Sequence, residues 1–244
     1  MSVGRTLALA GSLLLAGAHA APALTARGPV RRMLPGLAGQ GAPGGVALTF
    51  DDGPDPLGTP AVLAALEAQG WTATFFLLGS QVRRYPSIAR DVVAAGHEIG
   101  VHGDDHRNHL ARPAGAVRAD LERATATISD VTGIRPRWFR PPYGVLSAGS
   151  LRAAARLGLT PVLWTAWGKD WEPTTPERIV RLLVGGLHPG GTLLLHDSDC
   201  TSTAGSWQAT AAAIPLLARE LARRDLVVRA LGEHLAGGRL PDRR

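Results

Sequence analysis

Cysteine is nearly absent from this sequence. The 244 residues include one cysteine, Cys200. A lone cysteine excludes an intrachain disulfide and a zinc site built from several thiolates. Any metal site must therefore take its ligands mainly from histidine, aspartate and glutamate side chains.

Aromatic residues are also scarce, at 5% of the chain, and lysine occurs only at Lys169. The formal net charge of +6 comes from arginines that are scattered or in short pairs, with no basic stripe that alternates with aromatics. Such a pattern is typical of a solvated surface. We therefore expect no specific nucleic-acid partner, and we expect a monomer.

Long apolar runs are absent after the first twenty residues, so no transmembrane span is expected in the mature chain. The apolar residues 7–16 follow a positive Arg5 and precede Ala18-His19-Ala20, which has the small-x-small pattern of a cleavage site. We interpret residues 1–20 as a signal peptide and predict a secreted or cell-envelope protein. A buried N-terminal helix and an uncleaved anchor are the alternatives.

Composition divides the remaining chain into three parts. Residues 21–45 are rich in Gly, Pro, Ala and Arg without periodicity, and we predict a linker there. Residues 46–235 form the predicted single domain, and residues 236–244 a basic tail.

Short apolar runs alternate with amphipathic segments through the domain. We predict strands over residues 46–50, 72–78, 98–101, 138–140, 161–166, 192–195 and 226–231, with helices between them. This alternation indicates an α/β fold of about seven parallel strands. A β/α barrel and an open doubly wound sheet fit the pattern equally.

Polar clusters follow the predicted strands, where reactive residues gather in both architectures. His102 and His106 are four residues apart, and imidazole is the usual nitrogen ligand of zinc. Together with Asp52 from another strand end, they make a plausible hydrolytic metal site. The neighbouring Asp51 can take a different role, that of a proton acceptor. His109 is predicted to lie at the surface.

Three further segments can contribute to such a site. Arg140 emerges from an apolar strand and needs a carboxylate partner, for which Asp51 is the natural candidate. The prolines after Arg140 would fix the Tyr143 backbone N–H as a donor to an oxyanion. His196 could be a general acid whose pKa is raised by a neighbouring carboxylate. Each segment taken alone fits an ordinary structural role at least as well.

Taken together, these segments resemble the polysaccharide deacetylase family, also described as the NodB homology domain or carbohydrate esterase family four. The resemblance covers about residues 46–231. It rests on five motifs in the family's order: Thr49-Phe50-Asp51-Asp52-Gly53-Pro54, His102-x-x-x-His106, Arg140-Pro141-Pro142-Tyr143, Asp170-Trp171 and Leu194-Leu195-His196.

The resemblance implies a distorted (β/α) barrel and metal-dependent removal of acetyl groups from N-acetylated sugars. It implies that a divalent metal, zinc foremost with cobalt, nickel or manganese as alternatives, is bound by Asp52, His102 and His106.

The resemblance also implies the roles of the other site residues. Asp51 would be the general base and His196 would protonate the leaving amine. Arg140 would orient Asp51, and Asp170 would tune His196. The oxyanion and acetyl pocket would be formed by Tyr143, Trp171 and Leu194.

The chain departs from the family's pattern at two positions. Gly103 stands where the family usually has Ser or Thr, which removes a hydroxyl able to brace the loop. Trp167 stands where the fourth motif often begins with Asp, which alters the substrate groove.

The resemblance implies a hydrolase that removes N-acetyl groups from an N-acetylglucosamine polysaccharide or oligosaccharide. Peptidoglycan, chitin-type chains and exopolysaccharide all fit. The alternatives are an O-deacetylase of the acetyl-xylan type and a noncatalytic cell-wall carbohydrate-binding protein.

Overall fold

Strands and helices alternate along the chain, as the apolar pattern predicts. The structure is a computed structural model that describes residues 16–237. Its strands are β1 (Gly45–Asp51), β2 (Thr74–Leu77), β3 (Glu98–Val101), β4 (Trp138–Phe139), β5 (Thr160–Pro161), β6 (Ala166–Trp167), β7 (Thr192–His196) and β8 (Val227–Arg229). The longer helices are Gly58–Glu67, Pro86–Ala94, Ala114–Thr132, Ala148–Leu157, Pro176–Gly185 and Ser206–Ala222.

The strands form one parallel sheet that curls into a distorted barrel, which confirms the predicted fold class. Its order is β5-β4-β3-β2-β1-β7-β6, with β8 paired to the start of β1. Strand β1 is buried along its whole length because it lies between neighbours and under helices. A short helix at Gly79–Arg84 was not predicted.

The parallel arrangement brings the carboxyl ends of the strands to one edge. Asp51 at the end of β1 lies beside His196 at the end of β7. His102 follows β3, and Arg140 follows the neighbouring β4. The polar clusters of the sequence therefore meet at one end of the barrel.

The strand predicted over residues 161–166 is wrong, because β5 and β6 are separate strands at opposite edges of the sheet. The Val162 N–H still donates to the Phe139 carbonyl of β4, whereas the Thr165 N–H donates to the Thr192 carbonyl of β7. The chain thus crosses the open side of the barrel within a few residues. The crossing carbonyls bond to the Arg140 side chain instead of a strand.

The linker predicted over residues 21–45 is also corrected. Residues 28–40, here called the N-terminal segment, contain two short helices, Gly28–Arg32 and Pro35–Ala38. The Leu37 carbonyl accepts a hydrogen bond from the Leu163 N–H at 2.7 Å, and the Gly39 carbonyl accepts one from the Thr192 hydroxyl at 2.7 Å. The segment packs on the open side of the barrel and is held there by these hydrogen bonds to the crossing chain and to β7.

Most of the predicted signal peptide, residues 1–15, lies outside the described residues, and residues 16–20 are helical. The predicted basic tail lies outside them from residue 238 onward. None of the helices between residues 16 and 237 combines the length and apolar character that crossing a bilayer requires.

Gly39→Ala is expected to destabilise the protein by about 1–3 kcal/mol, because Gly39 has φ of 72° and an added Cβ would collide with Thr192. Gly36→Ala is the matched control in the same segment, since nothing lies near its Cβ position. Urea unfolding of both variants measures the difference. Equal unfolding free energies would show that the segment is not packed on the barrel.

Candidate active site

Three donor side chains converge at the carboxyl edge of the sheet. The Oδ1 atom of Asp52 lies 3.3 Å from Nε2 of His102 and 3.3 Å from Nε2 of His106. Asp52 and His102 are buried, and His106 is half-buried. The three ligand atoms lie within 4.8 Å of one another, which suits a divalent cation.

Each donor is held in place by a specific contact or backbone conformation. Nδ1 of His102 lies 2.9 Å from the Arg140 carbonyl, so the ring donates there and leaves Nε2 as the acceptor. Asp52 has φ of 77° and His106 has φ of 52°, left-handed conformations that are uncommon for non-glycine residues. The loop geometry therefore aims both side chains at one point.

One buried oxygen supports a cation at this point. Oδ2 of Asp52 accepts a hydrogen bond from the Thr201 hydroxyl at 2.5 Å. Oδ1 is buried and has no hydrogen-bond donor among the described residues. A buried carboxylate oxygen without a donor is costly unless a cation faces it. The residues present therefore fit a metal.

The pKa values of two donors, Asp52 and His106, also suit a cation. Burial would raise the pKa of Asp52, but the adjacent His102 ring, 3.3 Å away, holds it well below the usual range. Burial lowers the pKa of His106 to about 4. Both side chains therefore keep the deprotonated form that binds metal at neutral pH.

Asp51 and Arg140 form the predicted buried pair. The Arg140 guanidinium donates to Oδ1 of Asp51 at 2.7 Å, and both side chains are almost fully buried. The second oxygen, Oδ2, lies 3.8 Å from Nε2 of His102. Arg140 thus fixes one oxygen of Asp51 and leaves the other beside the metal donors.

His196 and Asp170 form a second pair. Nδ1 of His196 lies 2.9 Å from Oδ1 of Asp170. The other oxygen of Asp170, Oδ2, accepts hydrogen bonds from the backbone N–H of His196 and from the Thr210 hydroxyl. Burial lowers the pKa of His196, but the charge and hydrogen bond of Asp170 outweigh it and raise the pKa to about 10. His196 is therefore a proton donor at neutral pH.

These groups surround one pocket of about 280 Å³. Eight predicted site residues line it, namely Asp51, Asp52, His102, His106, Tyr143, Trp171, Leu194 and His196. The other two, Arg140 and Asp170, lie behind Asp51 and His196. The Tyr143 ring centroid is 4.6 Å from that of His106, which places Tyr143 at the rim.

The loop that contains Gly103 is braced by charge rather than by a hydroxyl. Asp104, buried between the two histidines, pairs with Arg83 and Arg123. The Asp104 N–H donates to Asp120. Gly103 has φ of 91°, a conformation that disfavours the Ser or Thr expected there.

Sequence reasoning missed or misplaced several residues around the site. Thr201, which holds Asp52, lies in the loop after β7 and belongs to no motif, so only its position near a strand end could have indicated it. Trp164 also lines the pocket without having been predicted. His109, predicted to be at the surface, is fully buried, 3.6 Å from Asp120 and stacked on Phe139.

Comparison with known proteins connects this geometry to a family. The polysaccharide deacetylase family model matches residues 38–162. A chitooligosaccharide deacetylase of Azorhizobium caulinodans is 36% identical over 163 residues, which make up 66% of this chain and 78% of that protein.

Two solved structures show the same fold. A peptidoglycan N-acetylglucosamine deacetylase superposes with a TM-score of 0.75 and 28% identity, covering 81% of this chain and 91% of that one. A CE4 family pseudoenzyme from Bacillus anthracis superposes with a TM-score of 0.73 and 26% identity, covering 80% of this chain and 66% of that one. Since a pseudoenzyme shares the fold, the fold alone does not establish turnover, and the side chains must carry that argument.

With added zinc as the probe cation, Thr201→Val is expected to bind the ion about tenfold more weakly, because Asp52 loses the hydrogen bond that fixes its carboxylate. Titration calorimetry with zinc measures the affinity. Thr203→Val is the matched control, since Thr203 is exposed in the same loop and only its main chain is hydrogen-bonded in the described structure. If the two variants bind zinc equally, Thr201 does not position the ligand.

Proposed function

The chain belongs to the polysaccharide deacetylase family and is a hydrolase of carbon–nitrogen bonds; on that premise we propose that it uses a bound divalent metal to hydrolyse N-acetyl groups. The substrate is proposed to be the N-acetylglucosamine units of a polysaccharide, and the acetyl group is released as acetate. The observation that carries this proposal is the pocket in which three metal donors adjoin Asp51 and His196. The pocket combines a proton acceptor with a proton donor, as hydrolysis of an amide requires.

The metal would be held by Asp52, His102 and His106. When bound there, it would acidify the attacking water and polarise the acetamide carbonyl. Two imidazoles and one carboxylate form a donor set typical of catalytic zinc. We propose zinc as the ion, because zinc is the ion most typical of this donor set in hydrolytic sites. Cobalt, nickel and manganese could bind to the same donors.

Asp51 is proposed to accept the proton of the attacking water. Its Oδ1 is occupied by Arg140, so Oδ2, which faces the metal donors, is the oxygen left to receive a proton. The fixed Arg140 contact also keeps the carboxylate from rotating. The base is thereby positioned before substrate binds.

His196 is proposed to protonate the leaving amine. Its imidazolium is stabilised by Asp170, and it lines the same pocket as Asp51. Without this proton the sugar nitrogen would have to leave as a deprotonated amine, which is a very poor leaving group. The two side chains thus divide base and acid work between them.

The acetyl group is proposed to occupy the apolar side of the pocket. Trp171 and Leu194 line that side, and the Trp171 ring lies 5.8 Å from the His196 ring between centroids. The Tyr143 backbone N–H is proposed to stabilise the oxyanion, supported by the left-handed turn (φ of 61°) that fixes this peptide at the pocket rim.

We also propose that the protein is exported and acts outside the cytoplasm. The support is the charged, apolar and small-x-small pattern of residues 1–20. The first strand of the barrel begins at Gly45, so cleavage after Ala20 would leave every strand in place. N-terminal sequencing of the chain from an expressing cell tests this, and an uncleaved Met1 on an intracellular chain would contradict it.

Asp51→Asn is expected to lower acetate release from N-acetylchitotetraose about a thousandfold while zinc stays bound, because the base is lost and the ligands remain. His102→Ala should lose zinc and activity together. Acetate assays and metal analysis on the same samples measure both.

Asp105→Asn is the matched control, since Asp105 is an exposed carboxylate in the loop between the two histidines. Full activity in Asp51→Asn would remove Asp51 from the mechanism. Acetate from acetylated xylan alone would identify an O-deacetylase. Zinc binding without acetate release from either substrate or from peptidoglycan would indicate a noncatalytic binding protein.

Asp170→Asn is expected to move the alkaline limb of the kcat/KM profile to lower pH. Asp170 raises the pKa of His196 against burial, so without it burial dominates and the acid deprotonates at lower pH. Thr210→Val is the control, because it removes one contact of Asp170 and keeps the charge. The same alkaline limb in Asp170→Asn and wild type would exclude His196 as the acid.

A further inference from the structure

A second cavity adjoins the catalytic pocket. It has a volume of about 620 Å³ and lies between the N-terminal segment and the strand β6 region. Trp164 and Trp167 line both this cavity and the catalytic pocket. A polymer whose reacting unit occupies the catalytic pocket could therefore continue directly into the second cavity.

The two shared residues, Trp164 and Trp167, form a row with Trp171, which lines the catalytic pocket alone. The Trp164 and Trp167 ring centroids are 5.5 Å apart, and those of Trp167 and Trp171 are 4.7 Å apart. Trp171 adjoins the ring of His196 at the catalytic end. Trp167 is the exposed member of the row, at 38%, and its ring can contact the C–H face of a sugar between the two cavities.

A cation lies at the far end of this row. The Arg31 guanidinium carbon is 4.7 Å from the Trp164 ring centroid, and the side chain is half-buried. No carboxylate within residues 16–237 lies within ion-pair distance of Arg31. Burial, and then the charges of Arg140 and Arg32, lower the pKa of Arg31 to about 10, so it is charged at neutral pH.

The charge around the cavity has one sign. Arg32 also lines it, and no aspartate or glutamate does. The catalytic pocket, by contrast, contains Asp51 and Asp52. A partly desolvated cation without an acidic partner is stabilised by an anionic ligand.

We propose that this cavity is a subsite for a carboxylate-bearing sugar next to the reacting N-acetylglucosamine unit, so that the protein prefers acidic N-acetylated glycans over neutral ones. The proposal rests on the proposed function, because it takes the catalytic pocket as the site of the reacting unit. Continuity through Trp164 and Trp167 favours a group on the same chain over a free anion.

The experiment measures binding by calorimetry to the Asp51→Asn chain, which retains the cavity and is expected to turn over about a thousandfold more slowly. The ligands are the tetrasaccharide in which N-acetylglucosamine alternates with N-acetylmuramic acid, and the same tetrasaccharide with its carboxylates amidated. We expect the acidic form to bind about tenfold more tightly, as for one hydrogen-bonded ion pair. Equal affinities for the acidic and the amidated tetrasaccharide would overturn the proposal, and this comparison leaves Arg31 unsubstituted.

Variants at Arg31 locate the effect. Arg31→Met keeps the aliphatic packing on Trp164 and should abolish the tenfold preference, whereas Arg31→Lys should keep part of it. Arg27→Met is the matched control, since Arg27 is exposed nearby and does not line the cavity. A preference for the acidic tetrasaccharide that survives in Arg31→Met overturns the assignment to Arg31.

Acetate release by the unsubstituted chain, run in parallel, separates the two proposals. Arg31-dependent binding without acetate from any substrate would support the subsite and contradict the proposed function. Acetate released with the same kcat/KM from both tetrasaccharides would support the function and contradict the subsite.

Discussion

The buried guanidinium of Arg140 is the contact on which both the barrel and its site depend. It donates to the Val162 and Leu163 carbonyls, to the Thr49 hydroxyl and to Asp51. A buried cation is tolerable only when its donors are satisfied, and here each partner also needs Arg140. The crossing carbonyls have no strand partner, and the Asp51 carboxylate is almost fully buried. Structure and chemistry therefore share one group.

The main chain of Arg140 extends this dependence to the metal donors. Its carbonyl accepts from His102 while its side chain holds Asp51, so one residue sets the direction of a proposed ligand and of the proposed base. The two functions cannot shift independently. This coupling explains how residues from three separate strand ends keep a fixed geometry on a barrel that hydrogen bonds do not close.

Local patterns predicted the strand ends and therefore the site. The Arg140–Asp51 pair could be foreseen because an arginine leaving an apolar strand needs a carboxylate. The packing of residues 28–40 could not be foreseen, because the segment has no apolar periodicity and is held by hydrogen bonds to Leu163 and Thr192, which are distant in the sequence. Thr201 and the break at residues 162–165 were missed for the same reason: their partners are side chains distant in the sequence.

The contacts of the N-terminal segment have a consequence for the order of folding. Gly39 bonds to Thr192, a partner 153 residues later in the chain. Contacts of such sequence separation form late, because a long loop must be closed first. This segment leaves the ribosome before any strand of the barrel, yet it cannot dock until β7 has been synthesised. The second cavity, which Arg31 lines, is thus completed only after β7 has been synthesised.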